Sequence, residues 1–314
     1  MVYILELETS ATHITKVLID TISSIISDVR FTFYPYYKSN SDDDENINNN
    51  DNANINDNNE DNDDNNDNNE HNDDTGVSKN KQIGGLVIKE INKPGTILVY
   101  AKLDADKFEK YIYNSTKKSI TLGINLDNLL IILKCMSNLD KMTWALDDED
   151  INKLIIILEN TDTKVKKIFR LNLHDLNDDK FVIDPIEFPY AAYLPSNDFH
   201  KYCKDLSLIT DKVEIKCTSN KVTFGIKGAD ICDADFEISE TNGGLSIDIN
   251  TENKNEIVQG VFLLKWLNVF TKCTNLSPLV ILYLKNDYPL IIRYDIAPLG
   301  VVKFALSQKN DGNS

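Results

Sequence analysis

The sequence has no G-x-x-x-x-G-K-S/T phosphate loop and no dinucleotide fingerprint; its paired glycines, Gly84-Gly85 and Gly243-Gly244, read as turn residues. His13, His71, His174 and His200 have no second histidine and no cysteine at metal-ligand spacing, which excludes a zinc-type site. The five cysteines (Cys135, Cys203, Cys217, Cys232 and Cys273) are odd in number and lack any C-x-x-C pair, so reduced, buried thiols in an intracellular protein are expected. No apolar run reaches the roughly 18–20 residues needed to span a bilayer. Met1 to Ser10 carries Glu6 and Glu8 and no basic residue, a pattern unlike a signal peptide. His174-Asp175 lies in an acidic stretch where an acid–base pair is hard to tune, and Asp147-Asp148-Glu149-Asp150 reads as a solvated hairpin turn rather than a cation site. Nothing assembles a nucleophile, a base and an oxyanion site, so no catalysis, metal or cofactor is expected.

Net positive charge is also missing. The chain carries 33 basic and 50 acidic residues, a formal charge of −17. One stretch holds most of the excess: Ser41 to Asp74 has 14 Asp or Glu, 15 Asn and no Lys or Arg in 34 residues, so −17 + 14 leaves −3 for the other 280. A uniformly basic nucleic-acid coat is excluded, whereas a locally basic surface on a near-neutral body is not. The acidic tract has no periodicity and almost nothing to bury. It reads as a solvated insert over about 39–82 that cannot offset the cost of ordering its backbone. The rest is long enough for two cores.

What is present is a repeat. Asn125 to Cys135 reads as an apolar helix ending in Lys134-Cys135, followed by strands at Lys141–Leu146 and Lys153–Glu159. Phe262 to Cys273 reads as a second such helix ending in Lys272-Cys273, followed by strands at Leu279–Leu284 and Leu290–Ile296. The Lys-Cys pairs are 272 − 134 = 138 residues apart. Ser10 and Ser196 are good N-caps for helices running to Ile26 and Leu208, and they are 186 residues apart. The excess, 186 − 138 = 48, is about the size of the acidic insert and its flanks. One unit therefore occurs twice, with a loop of the first copy expanded. Short alternating strands such as Ile97–Leu103, Val213–Cys217 and Lys221–Ile226 fill each copy, which predicts an α+β fold with helices packed on antiparallel sheets. The expected division is 1–172, a connector at 173–189 and 190–314. The connector is acidic, holds two prolines and has an apolar island at Phe181–Ile183.

Positive charge on the helices is sparse and carried by lysine. Lys201 and Lys204 are i,i+3, Lys265 and Lys272 are i,i+7, and Lys16 and Lys134 sit on the other two helices. The opposite faces are apolar: Ile14, Val17, Leu18 and Ile22; Phe199, Tyr202, Cys203 and Leu206; Phe262, Leu263, Trp266, Leu267 and Phe270. Ordinary amphipathic helices with solvated lysines account for this pattern. So does a shared surface offering diffuse charge to phosphates without reading bases.

In order and spacing, several stretches resemble the proliferating cell nuclear antigen family of sliding clamps. These are Leu122-Gly123-Ile124-Asn125-Leu126 leading to Ile132-Leu133-Lys134-Cys135; Leu194-Pro195-Ser196 through Phe199 to Cys203-Lys204-Asp205-Leu206-Ser207; Trp266 to Lys272; and Pro289 through Tyr294 and Leu299-Gly300 to Lys303-Phe304. The likeness runs from Leu7 to Lys309 outside the insert. It implies a homotrimeric ring on double-stranded DNA, with helices lining the hole, that serves as a DNA polymerase processivity factor and is placed by a clamp loader. A checkpoint-type subunit of a heterotrimer and a monomeric virus-type processivity factor are the alternatives.

The resemblance also assigns residues. Lys16, Lys134, Lys201, Lys204, Lys265 and Lys272 match basic inner-surface positions, while Thr15, Ile22, Ile131 and Leu208 stand at others. Ile91, Thr96, Phe181, Ile183 and Pro289 match a groove for a glutamine-anchored partner peptide, with backbone from Ala305 and Leu306 to Gln308 available for strand-like pairing. Ser307-Gln308-Lys309 replaces the usual Ala-Pro-Lys, and the family's ubiquitin-acceptor lysine falls at Ser219, between Lys216 and Lys221. Subunits are expected to join through Lys164–Asn172 and Ile231–Ser239, the insert to protrude, and the protein to work in a nucleus or a viral replication compartment.

Overall fold

The computed structural model describes residues 3–36, 84–137, 139–176, 186–241, 243–253 and 255–309. The expected insert at 39–82 and the groove residues Phe181 and Ile183 lie outside the described residues. Along the first half run β1 (Tyr3–Thr9), α1 (Thr12–Ser23), β2 (Asp28–Tyr34), β3 (Gly85–Ile91), β4 (Ile97–Asp104), β5 (Lys110–Tyr113), β6 (Ile120–Asn125), α2 (Leu126–Leu133), β7 (Asp140–Asp147), β8 (Lys153–Asn160) and β9 (Lys166–Asn172). The second half runs β10 (Tyr190–Pro195), α3 (Ser196–Leu206), β11 (Lys212–Cys217), β12 (Lys221–Ile226), β13 (Ala234–Ser239), β14 (Ser246–Ile249), β15 (Val258–Leu263), α4 (Leu264–Phe270), β16 (Leu279–Leu284), β17 (Leu290–Ile296) and β18 (Gly300–Leu306). The order of strands and helices is the same in both halves.

The pairing repeats too. Sheet order β5-β1-β7-β8-β9 in the first half matches β14-β10-β16-β17-β18 in the second, and β4-β3-β2-β6 matches β13-β12-β11-β15. Among the described residues, one pairing has no twin. β18 lies antiparallel to β4, from Gly300↔Leu103 to Leu306↔Ile97, and fuses two of the four sheets into a nine-stranded one. The equivalents of β18 and β4 are β9 and β13, and each is the outermost strand of its own sheet.

Alternation sets the layers. In β18, Val302, Phe304 and Leu306 face the main core with the helices, and the intervening Val301 and Ala305 face outward. Phe304 stacks on Phe270 of α4 at 4.5 Å between ring centroids, and Phe31 of β2 stacks on Trp144 of β7 at 5.6 Å. A second apolar layer covers the outer face of the nine-stranded sheet, where Ile186 and Phe188 pack with Tyr100, Ile281, Tyr283 and Ile291.

Three local expectations need correction. Ser10 is not the cap of α1: the helix starts at Thr12 with Ala11 before it, because the Ser10 N–H donates to Glu109 (2.8 Å) and Thr9 Oγ1 takes the Ala11 N–H (3.0 Å). Ser196 is likewise the first residue of α3 rather than its cap; its N–H donates to the Pro278 carbonyl, and its buried hydroxyl has no partner among the described residues. Phe262 and Leu263 belong to β15, paired with Val213 and Lys212, so the second apolar helix begins two residues later than its composition suggests. Asn125 does cap α2, its Oδ1 accepting the Asn128 N–H at 3.0 Å.

Gly84 and Gly85 are not turn residues either. A Cβ on Gly84 would lie 2.2 Å from the Pro35 carbonyl oxygen, and one on Gly85 (φ 141°) 2.1 Å from that of Leu103. They let the chain return beside the point where it leaves. Tyr111 holds that point closed, its hydroxyl donating to the Tyr34 carbonyl at 2.7 Å and lying 3.2 Å from that of Gly85.

Candidate nucleic-acid interface and partner groove

The helices form one row. α1 packs on α2 and, on its other flank, on the 3-10 turn Thr271–Leu276 that continues α4. Cys273 Sγ reaches Thr21 Oγ1 at 3.7 Å, the seam between the two halves. α4 then packs on α3, where Asn268 Nδ2 donates to Ser207 Oγ and His200 Nδ1 lies 2.9 Å from Thr271 Oγ1. Each helix buries an apolar stripe, such as Leu18, Ile19 and Ile22 in α1 and Phe199, Cys203 and Leu206 in α3. The buried thiols Cys203, Cys217 and Cys273 titrate above the ordinary cysteine range because burial penalises the thiolate; Cys217 and Cys273 reach about 12. Cys135 and Cys232 are exposed, contrary to expectation, because one follows the end of α2 and the other sits in the loop before β13.

All six sequence-selected lysines fall on this row. Lys134, Lys201, Lys204, Lys265 and Lys272 are exposed and Lys16 is half-buried. Lys265 lies over the Trp266 ring, 4.6 Å from its centroid. Lys272 differs from the rest, donating to Asp20 Oδ2 at 2.9 Å and Ser24 Oγ at 2.8 Å. Among the described residues it is the one member of the six with a carboxylate partner. The row also exposes Ile131 and Leu208. Lysines spaced along one layer in this way can contact a phosphate backbone but are too sparse and too flexible to read bases.

Of the residues expected to line a groove, the described ones, Ile91, Thr96, Pro289, Ala305 and Leu306, lie at one end of the nine-stranded sheet. Asn92 shapes the turn from β3 to β4, its Oδ1 accepting the N–H groups of Thr96 and Ile97, each at 2.9 Å. Ile91 and Thr96 flank that turn and are exposed. Beyond β18, the Ser307 N–H donates to the Thr96 carbonyl (2.9 Å), Gln308 Nε2 to the Tyr288 carbonyl (3.0 Å) and the Lys309 N–H to the Val261 carbonyl (2.8 Å). Half-buried Pro289 follows Tyr288. Ala305 and Leu306 correct the expectation for the tail: both are paired on two sides, with Ile291 and Leu290 of β17 and Leu98 and Ile97 of β4, so their backbone cannot take up a peptide. The base of the insert, Tyr34 and Gly85, lies at the opposite end of β3 from Ile91, about 20 Å away at 3.3 Å per residue.

Sequence reasoning missed Asp20, Tyr111 and the Gln308 anchor. Gln308 fits because Gly260 leaves a notch, where a Cβ would come within 2.9 Å of the Gln308 Cδ. An acid among lysines on one helix row was the available signal for Asp20.

Asp140 steadies the edge strand β9. Burial alone would raise its carboxyl, but hydrogen bonds from the Ser137 hydroxyl and N–H, Asn160 and Lys167 outweigh that and hold it at about 2. A depressed carboxylate stabilises the fold above its unfolded value near 3.8 and loses that contribution as pH falls towards 2. Asp140→Asn is therefore expected to lower Tm at pH 7 by several degrees, with the gap from wild type closing as thermal scans are taken down to pH 2.

Residues 75–181 match the family described as Proliferating cell nuclear antigen, N-terminal domain, and residues 182–309 match Proliferating cell nuclear antigen, C-terminal domain. β1 and β2, which precede residue 75, belong to the same unit, since β1 is hydrogen-bonded between β5 and β7, and β2 between β3 and β6. With two copies of one strand-and-helix plan, a continuous helix row and matches spanning 75–309, the chain belongs to the proliferating cell nuclear antigen family, the DNA sliding clamps of replication and repair.

Proposed function

We propose that three copies of this chain close head to tail into a ring on duplex DNA, which keeps a polymerase on its template and docks replication and repair proteins, with no catalysis of its own. The observation that carries the reading is the β18–β4 junction. Within one chain the two repeats join through these strands, and their repeat equivalents, β9 and β13, are left as sheet edges. Pairing β9 of one copy with β13 of the next makes the same joint again and removes both edges. A joint between two different surfaces propagates head to tail, so closure makes a ring.

The two edges suit each other. β9 carries Arg170 and Lys166, the latter paired with Glu159, and β13 carries Asp235 and Glu237, the latter paired with Lys221. Their core-facing residues, Phe169 on one and Phe236 and Ile238 on the other, are only partly covered in the single chain. Opposite charge on the chain's own two edges favours self-assembly over an obligate heterotrimer, and two open edges argue against a monomer. Encirclement makes tight binding unnecessary: lysines on the helix row hold phosphates weakly, so the ring slides. A solution mass near three times 35.6 kDa is the expected result; a monomer at micromolar concentration overturns the ring.

Partner proteins, including the polymerase and the clamp loader, would insert a glutamine-anchored peptide between the β3–β4 turn and the segment after β18, beside Ile91, Thr96 and Pro289, with Phe181 and Ile183 of the connector as its further wall. Because β18 is already paired on both sides, backbone contacts to a peptide start at Ser307 and Gln308. Ile91→Asp and Ile183→Asp are each expected to weaken such a peptide at least roughly tenfold by calorimetry, since a charge placed in an apolar groove costs upward of about 1.4 kcal/mol. Retained affinity in both variants would remove this groove.

A further inference from the structure

We propose that Asp20 is an internal competitor for Lys272 and thereby a positioning residue that sets how firmly this chain holds duplex phosphate. The inference rests on the reading that the helix row faces DNA. Lys272 Nζ donates to Asp20 Oδ2 at 2.9 Å and to Ser24 Oγ at 2.8 Å, so two of its three N–H bonds are committed across the seam between the two repeats. The two side chains keep 41% and 45% of their surface exposed, so the pair lies open on the row rather than buried within it.

The balance of charge along the row gives the pair its weight. On α1, on α2 and just past it, Lys16 and Lys134 are offset by Asp20 and Asp127. On α3, α4 and its continuing turn, Lys201, Lys204, Lys265 and Lys272 face Asp198 and Asp205. Counted once, Asp20 leaves Lys16, Lys134 and Lys272 together with a single net positive charge against Asp20 and Asp127, and its hydrogen bond places that carboxylate on Lys272. A phosphate reaching Lys272 finds one uncommitted N–H beside the Asp20 carboxylate, and gains the others only by displacing Asp20 and Ser24. Lys272 therefore adds less to the grip on DNA than Lys134, Lys201, Lys204 and Lys265, which are exposed and have no carboxylate partner among the described residues. An exposed pair of this kind is weak, so it exchanges rather than locks.

The test is equilibrium binding of the assembled protein to a short linear duplex over a range of salt, for wild type, Asp20→Asn, Lys272→Gln and the double variant, with assembly checked by sedimentation. Asp20→Asn is expected to bind tighter at low salt and to steepen the slope of log affinity against log salt by about 0.9 for each further phosphate that the freed lysine neutralises, roughly threefold in affinity over a fourfold salt change. Lys272→Gln in the wild-type background is expected to change affinity less than about twofold, but in the Asp20→Asn background to abolish the whole increase. A merely structural role for the pair would not move the salt slope. An unchanged slope in Asp20→Asn overturns the inference, and so does an increase that survives in the double variant. Absence of salt-dependent binding by the wild type overturns the channel reading itself, and the competitor with it.

Discussion

Changing Phe169 to Asp is expected to convert the assembly to single chains of 35.6 kDa that remain folded. Phe169 sits on β9 and is only partly covered in the isolated chain, so a carboxylate there is solvated in the monomer and becomes costly only when the edge is closed. Burying it at the joint costs about 3 kcal/mol or more, a hundredfold or greater loss in each subunit–subunit association. Phe236→Asp on β13 should do the same from the other side. The two variants mixed should give a species of twice 35.6 kDa, because one intact β9 can still meet one intact β13 while the remaining two edges are blocked. A joint between like edges would give no such rescue. Sedimentation of the mixture decides the matter: if only monomers are seen, or trimers persist in either single variant, the head-to-tail joint is wrong. Loss of polymerase stimulation should accompany loss of the ring, since open chains cannot stay threaded.

The second large effect is expected from reversing charge on α3. Lys201 and Lys204 lie one turn apart, exposed, and without a carboxylate partner among the described residues. Lys201→Glu with Lys204→Glu changes the row by 2 × 2 = 4 charges per chain. Attraction to two phosphates per chain would give way to repulsion. Each phosphate no longer neutralised flattens the salt slope by about 0.9, and at least roughly tenfold weaker duplex binding follows at low salt. The solution mass should not change, because Lys201 and Lys204 are exposed while α3 meets β13 through Tyr202, whose ring lies 6.1 Å from that of Phe236. Reversal of Lys272 should cost less, since Asp20 already holds it. If polymerase stimulation and duplex binding both survive the α3 reversal, these helices do not face DNA.

Much of the architecture could be read without coordinates. Strands at Lys141–Leu146, Lys153–Glu159, Leu279–Leu284 and Leu290–Ile296 came from apolar alternation, and each matches an observed strand to within a residue. The spacing of the two Lys-Cys pairs exposed the repeat, and the element order is the same in both halves. Helix starts were less legible. Ser10 and Ser196 had the right chemistry for caps, but Glu109 and Pro278, each distant in sequence, took their backbone N–H groups. Phe262 and Leu263 looked helical because an apolar strand runs directly into an apolar helix, and a continuous apolar run does not mark its own change of period.

From composition and periodicity alone came the α+β class, the duplication, the helix lysines, the lack of a recognisable catalytic motif, and the confinement of most of the net negative charge to one tract between Tyr34 and Gly85. These are properties of neighbouring residues, which local side-chain chemistry records directly. The folded chain decided the rest: that β18 closes on β4 while β9 and β13 stay open, that Ala305 and Leu306 are walled in on both sides, and that Lys272 meets Asp20 across 252 residues. Each depends on segments distant in sequence arriving side by side. Such pairings are selected by the packing of the whole core and leave no trace in the residues on either side of them.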